Sequence, residues 1–259
     1  MAKTWTQFPH TDKRFHYTPV TLKKSWDRLH KGDAEPLPKN ETVIAAWVAF
    51  HAGDFQRAVE LGTEAGRDGF NVANKSQAMY ATYLESIDKK KLELFEEVAA
   101  RAEQLQKDQP KNANAYYWQA YALGRYAQGI SIAKALAQGI GGKVKTALET
   151  TIKLAPKHAD ARTALGAYHA EVIDKVGAMI ASLTYGAKKE HALKNYQAAL
   201  KLNPDSAIAR IEYANGLVML EGKKALKQAE QLYAEAAACE PMDATEKLDV
   251  EQARAEIED

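Results

Sequence analysis

The sequence predicts an all-α protein, a right-handed helical-repeat solenoid of about five helix pairs closed by a C-terminal capping helix. Three observations carry this. Apolar residues recur at helical spacing almost without interruption from Glu41 onward. One register then repeats four times: Val98, Ala102, Leu105, Pro110; Val144, Leu148, Thr151, Pro156; Ala192, Tyr196, Ala199, Pro204; and Ala229, Tyr233, Ala236, Pro241, always spaced four, three and five apart. After Pro110, Pro156 and Pro204, alanines also stand three and five residues on. Small residues one turn apart let helices approach closely, and a proline ends the helix that precedes it. Units that recur this way cannot bury their apolar face alone and must stack on one another.

Composition sets the outer limits. With 259 residues, 46% apolar and 27% charged, the chain can build a continuous core and is not broadly disordered. A net charge of +1 gives no basis for a nucleic-acid or membrane-surface binder. The single cysteine, Cys239, excludes an internal disulfide and a cysteine-rich zinc site. No apolar run reaches the ~18 residues of a membrane span, and the first residues lack a signal-peptide pattern. These features together predict a cytoplasmic protein. Charge is nonetheless uneven: residues 1–40 carry a balance of +4 and residues 240–259 one of −6, which reads as a solvated tail at each end.

In chain order, residues 1–40 form an arm outside the repeats. Its aromatics (Trp5, Phe8, Phe15, Tyr17) are costly to leave in water, so the arm is expected to pack on the body. Thr21–Leu29 reads as one short helix capped by Thr18 or Thr21, and residues 32–40 as a linker broken by Pro36 and Pro38. Residues 41–241 hold the repeats. The first pair is split at Gly53-Asp54, just before Phe55, and ends at Gly66–Gly69. A helix around Lys75–Ile87 follows, then a charged break at Asp88–Lys91, then a helix running to Pro110. Long apolar segments at 126–143 and 172–190 separate the helices of the third and fourth pairs, ending in turns at Gly141-Gly142 and Tyr185-Gly186. Ser206 is placed to cap the helix that begins near Ala207. Residues 242–259 read as an acidic capping helix, which a solenoid needs because its last repeat has no neighbour.

The Gly-Asp-aromatic turn and the small-residue register before each proline resemble tetratricopeptide (TPR) repeats over residues 41–241. The proline separations of 46, 48 and 37 exceed the usual TPR period of 34, and the excess lies in the two apolar segments. Those segments, the Leu165-Gly166 step and the Tyr185-Gly186 turn are similar to the elongated repeats of two groups. One is the regulator of microtubule dynamics family. The other is the T-component of TRAP transporters, a TPR lipoprotein that pairs with a solute-binding protein. This sequence lacks the lipoprotein signal and cysteine of the T-component and any membrane anchor, which counts against carrying either function over directly.

No catalytic motif is present: no Gly-x-Gly-x-x-Gly, Walker loop, His-Glu-x-x-His or Gly-x-Ser-x-Gly. Gly139–Lys143 reads as a turn between helices, since no strand precedes it. His158 is expected at the surface of the turn after Pro156. His169 and Glu171 are two apart and do not share a helix face, so no metal pair is expected. The chain is read as non-enzymatic, with no cofactor and no metal.

What a helical-repeat solenoid offers is the concave surface lined by the first helix of each pair. The inward positions selected there are Trp47 and Phe50 in the first pair and Tyr117, Tyr121 and Arg125 in the third. Thr163 and Glu171 follow in the fourth, then Ile211, Asn215 and Met219 in the fifth. Asn114 is also an inward position. Tyr117, Tyr121 and Arg125 share one helix face, with the tyrosines as anchors and the arginine suited to a carboxylate. The expected partner is a protein or peptide segment held by a non-enzymatic TPR adaptor. The resemblance also implies what the partner is not: the basic clamp of chaperone-tail receptors is missing, because Tyr117, Tyr121, Ala164, Ile208 and Glu212 occupy the matching places. Three other readings remain. The arm or the inserts fill the groove; a small hydrophobic ligand binds between the apolar inserts; or copies of the chain assemble into a homo-oligomer through the N-terminal arm.

Overall fold

A computed structural model describes residues 5–258, and all regular structure among them is helical. Two compact units are present. The first contains residues 5–30, 35–140 and 242–245; the second contains 31–34, 141–241 and 246–258.

The first unit begins with the arm. Trp5 stacks on Tyr80 at 4.0 Å while its backbone N–H donates to Gln56 Oε1 at 2.9 Å. The ring of Phe8 lies against Gly53, which takes a φ of +87° and has no Cβ to obstruct it. Helix α1 (Pro19–Leu29) is closed by a capping box between Thr18 and Thr21 and places Leu22, Trp26 and Leu29 in the core. Asn40 caps α2 (Glu41–His51), whose apolar residues surround it almost completely. Asp54 caps α3 (Phe55–Glu64). Next come α4 (Phe70–Tyr83), α5 (Asp88–Asp108), α6 (Ala113–Gln128) and the short α7 (Ile132–Ala137). Successive helices from α2 to α6 pack in order, and the first helices α2, α4 and α6 adjoin one another. Gly62 and Gly69 meet backbone to backbone, an approach that side chains at either position would prevent.

Residues 242–245 complete this unit. Asp243 Oδ2 lies 2.7 Å from His51 Nδ1 with both side chains buried, and Tyr17 Oη donates to the Met242 carbonyl at 2.9 Å.

The second unit holds α8 (Ile140–Leu154, from Gly141), α9 (Ala159–Val176), α10 (Ala178–Tyr185), α11 (Lys189–Leu202), α12 (Ala207–Glu221), α13 (Leu226–Ala237) and most of α14 (Ala244–Glu258). Helix α9 packs on α11 and α12, and α12 packs on α13. Tyr196 of α11 fits where Gly166 of α9 and Gly216 of α12 leave room, and stacks on Tyr213 at 5.0 Å. Ile211, Ala207 and Ala236 close a second cluster against Val250 and Ala253 of α14. The short segment 31–34 joins this unit: its Gly32 carbonyl accepts from the Asp160 backbone N–H at 3.0 Å.

Several local readings change. Asp88–Lys91 is the first turn of α5, not a break; the break is at residues 84–87, where Glu85 Oε1 accepts from the Ile87 N–H. Gly141-Gly142 lies inside α8, and the turn is made two residues earlier by Gly139, with φ +63°. His158 is wholly buried instead of exposed, because its Nδ1 caps α9 by accepting from the Ala161 N–H at 3.0 Å. Ser206 caps α12 through the Ala209 N–H, as the sequence implied.

Candidate functional site

Helices α2, α4 and α6 adjoin in the first unit and carry the positions expected to face inward. On α2, Trp47 and Phe50 are core residues, not open ones. Trp26 meets Trp47 edge-on at 5.7 Å, His30 meets it at 4.5 Å, and Lys75 of α4 lies over the rings of Trp47 and Phe50. Their inward positions are thus covered by α1. On α6, Tyr117 is buried beside Trp118, while Tyr121 and Arg125 are only half-buried. Tyr121 Oη lies 2.9 Å from Thr82 Oγ1 of α4, and the Arg125 guanidinium sits 5.4 Å from the Tyr121 ring and donates to Gln128. Tyr121 is therefore held at its hydroxyl and stacked on its face, which fixes a ring that still reaches the surface.

A second feature of this face escaped the sequence reading. Glu35, from the linker after α1, directs its carboxylate at the first turns of α4 and α6. Asn71 Nδ2 donates to both oxygens at 2.9 and 3.1 Å, and Asn114 Nδ2 donates at 2.6 Å. The Glu35 carbonyl accepts from Trp26 Nε1 at 2.8 Å. Of these groups only Asn114 stands at a position that the repeat pattern marks as inward. Nothing in a Pro-rich linker marks Glu35, because its partners lie 36 and 79 residues away.

In the second unit two of the selected residues are closed off from a partner. Thr163 is buried and bonds back to the Ala159 carbonyl, and Ile211 is sealed under α14. Both were expected to face a partner; counting inward positions does not reveal which of them a distant element covers. Asn215 accepts from Tyr233 Oη, Glu171 pairs with Lys175 at 3.8 Å, and Met219 is exposed. Nearby, His169 and Tyr168 of α9 are buried, which pushes the imidazole down to about 4 and the phenol up to about 12. No group of three or more His, Cys, Asp and Glu among the described residues is arranged to hold a metal.

The family described as Regulator of microtubule dynamics protein 1-3 matches residues 62–259. The chain belongs to that family. No curated protein matches the sequence. Among solved structures, a thermophilic TPR protein of Thermus thermophilus aligns with a TM-score of 0.59 at 16% identity, over 83% of this chain and 98% of its own. YrrB, described as a TPR protein with an unusual peptide-binding site, aligns with a TM-score of 0.41 at 13% identity, over 92% of this chain and 100% of its own. The likeness to the Thermus protein makes the fold TPR-like.

The apolar inserts set this member of the Regulator of microtubule dynamics protein 1-3 family apart from a regular TPR. Their side chains are largely exposed: Ile132 and Leu136 on α7, and Met179, Ile180 and Leu183 on α10. Ala181 is the buried residue of α10. No helix among the described residues is long and apolar enough to cross a membrane.

Proposed function

We propose that this protein is a non-enzymatic adaptor that holds an extended protein segment on the α4–α6 face of its first unit. The carrying observation is the pair Tyr121 and Arg125: an aromatic ring fixed at two points, half-buried, with a guanidinium stacked on it one turn away. Aromatic and arginine side chains in such settings supply most of the energy in peptide recognition. The family description, which names regulators of microtubule dynamics, agrees with a protein that works by holding other proteins.

The test is selection of peptides from a displayed random library on the full chain, followed by anisotropy with individual selected peptides. Tyr121→Ala and Arg125→Glu should each weaken binding about tenfold, the effect expected of an interface anchor, while circular dichroism stays unchanged. Selected peptides that bind both variants at full affinity would overturn the proposal.

A further inference from the structure

Asn71 and Asn114 are each the second residue of their helix, α4 and α6, so they occupy matching places on adjoining first helices. Both are buried, and their amide groups converge on the Glu35 carboxylate. Beside it, Asn71 Oδ1 is buried with no hydrogen-bond partner among the described residues. An ionised carboxylate accepts only, so Glu35 can serve the amide donors but never this acceptor. A peptide is better matched. Every Asp or Glu in it carries a backbone N–H a few bonds from its carboxylate, so one bound acidic residue can serve both the donors and Asn71 Oδ1.

We infer that Asn71 and Asn114 form a carboxylate-reading subsite which Glu35 fills in cis, and that the segment bound in trans is acidic and places a carboxylate where Glu35 now sits. This rests on the adaptor reading and adds the chemistry of the partner. The α6 side of the face is long enough for it. Asn114, Tyr117, Tyr121 and Arg125 lie along one side of α6, and the twelve residues from first to last span about 16 Å of helix. An extended segment of about five residues covers that length. Pro36 disfavours a helical backbone at Glu35, so the carboxylate is presented from the linker and not from a helix.

The experiment uses the full chain and two fluorescein-labelled probes, hexaglutamate and hexaglutamine, followed by anisotropy at low salt. Glu35→Ala should bind hexaglutamate about tenfold more tightly than wild type, the gain expected from vacating charge-assisted hydrogen bonds. Adding Asn114→Leu should cancel that gain, and hexaglutamine should show none. Glu35→Ala no tighter than wild type, a gain that survives Asn114→Leu, or an equal gain for hexaglutamine would each overturn the inference. Because Asn114→Leu risks unfolding α6, the side-chain amide resonances of Asn71 and Asn114 in Glu35→Ala provide a second readout. They should shift when hexaglutamate is added, and shifts confined to other residues would also overturn it. Library-selected peptides that depend on Tyr121 yet ignore Glu35→Ala would leave the adaptor standing and remove this subsite.

Discussion

Tyr196 sits where two helices pass closest to α11. A Cβ at Gly216 would come within 2.5 Å of its hydroxyl and 2.7 Å of its ring, and one at Gly166 within 2.9 Å of the ring. Both glycines are therefore needed for space, not for an unusual backbone. Gly216→Ala should destabilise the protein by ~1–3 kcal/mol in urea unfolding, the usual range for overpacking. The Tyr196 hydroxyl is buried without a hydrogen-bond partner among the described residues, so Tyr196→Phe should be neutral or stabilising. It should also recover part of the Gly216→Ala loss, because the closest clash is with that oxygen. A double variant no better than Gly216→Ala alone would show that the ring sets the limit. His169 offers a pH test at the same scale. Burial, helped by His191 and Lys145, lowers its pKa from 6.5 to about 4. Between those values the unfolded chain takes up a proton that the folded one refuses, so stability falls as pH drops through this window and is whole above it. His169→Leu should flatten that part of the melting-temperature profile, and an unchanged acid-side slope would show that other groups cause it.

At the scale of elements, local chemistry and distant cover behave differently. Some helix ends were readable because they are decided within a few residues: Ser206 caps α12, and the prolines stop α5, α8 and α11 as their register implied. The bond between His51 and Asp243 spans 192 residues and left no local sign. It is a buried polar contact between residues 242–245 and α2, and Tyr17 Oη donates to the preceding carbonyl, that of Met242. Removing one partner of a buried hydrogen bond typically costs ~1–3 kcal/mol, since the other is left desolvated. Asp243→Ala should lose about that much by chemical denaturation, against well under 1 kcal/mol for a change at an exposed residue such as Glu230→Ala. The same distinction explains the site. Tyr121 and Arg125 were legible as one helix face. That Trp47 lies under α1 and Ile211 under α14, or that Glu35 reaches Asn71 and Asn114, depends on segments whose landing places no periodicity encodes.

For the molecule as a whole, the units do not follow the sequence as two consecutive halves. Residues 31–34 belong to the unit that otherwise begins at 141, and residues 242–245 belong to the one that otherwise ends at 140. Repeat proteins ordinarily tolerate division between repeats, because each repeat contacts only its neighbours in sequence. Here a cut after residue 140 would strip the first unit of Asp243 and Met242, leaving His51 buried without its carboxylate and Tyr17 without its acceptor. A fragment of residues 1–140 should therefore melt well below the full chain and with a broader transition, although all its helices up to α7 are intact in sequence. Supplying residues 240–247 as a synthetic peptide should raise the melting temperature of the fragment in a concentration-dependent way, as any ligand of the folded state does. The same peptide with Asp243→Ala should not. A fragment that melts like the full chain, or responds equally to both peptides, would mean that the first unit is complete without its C-terminal piece.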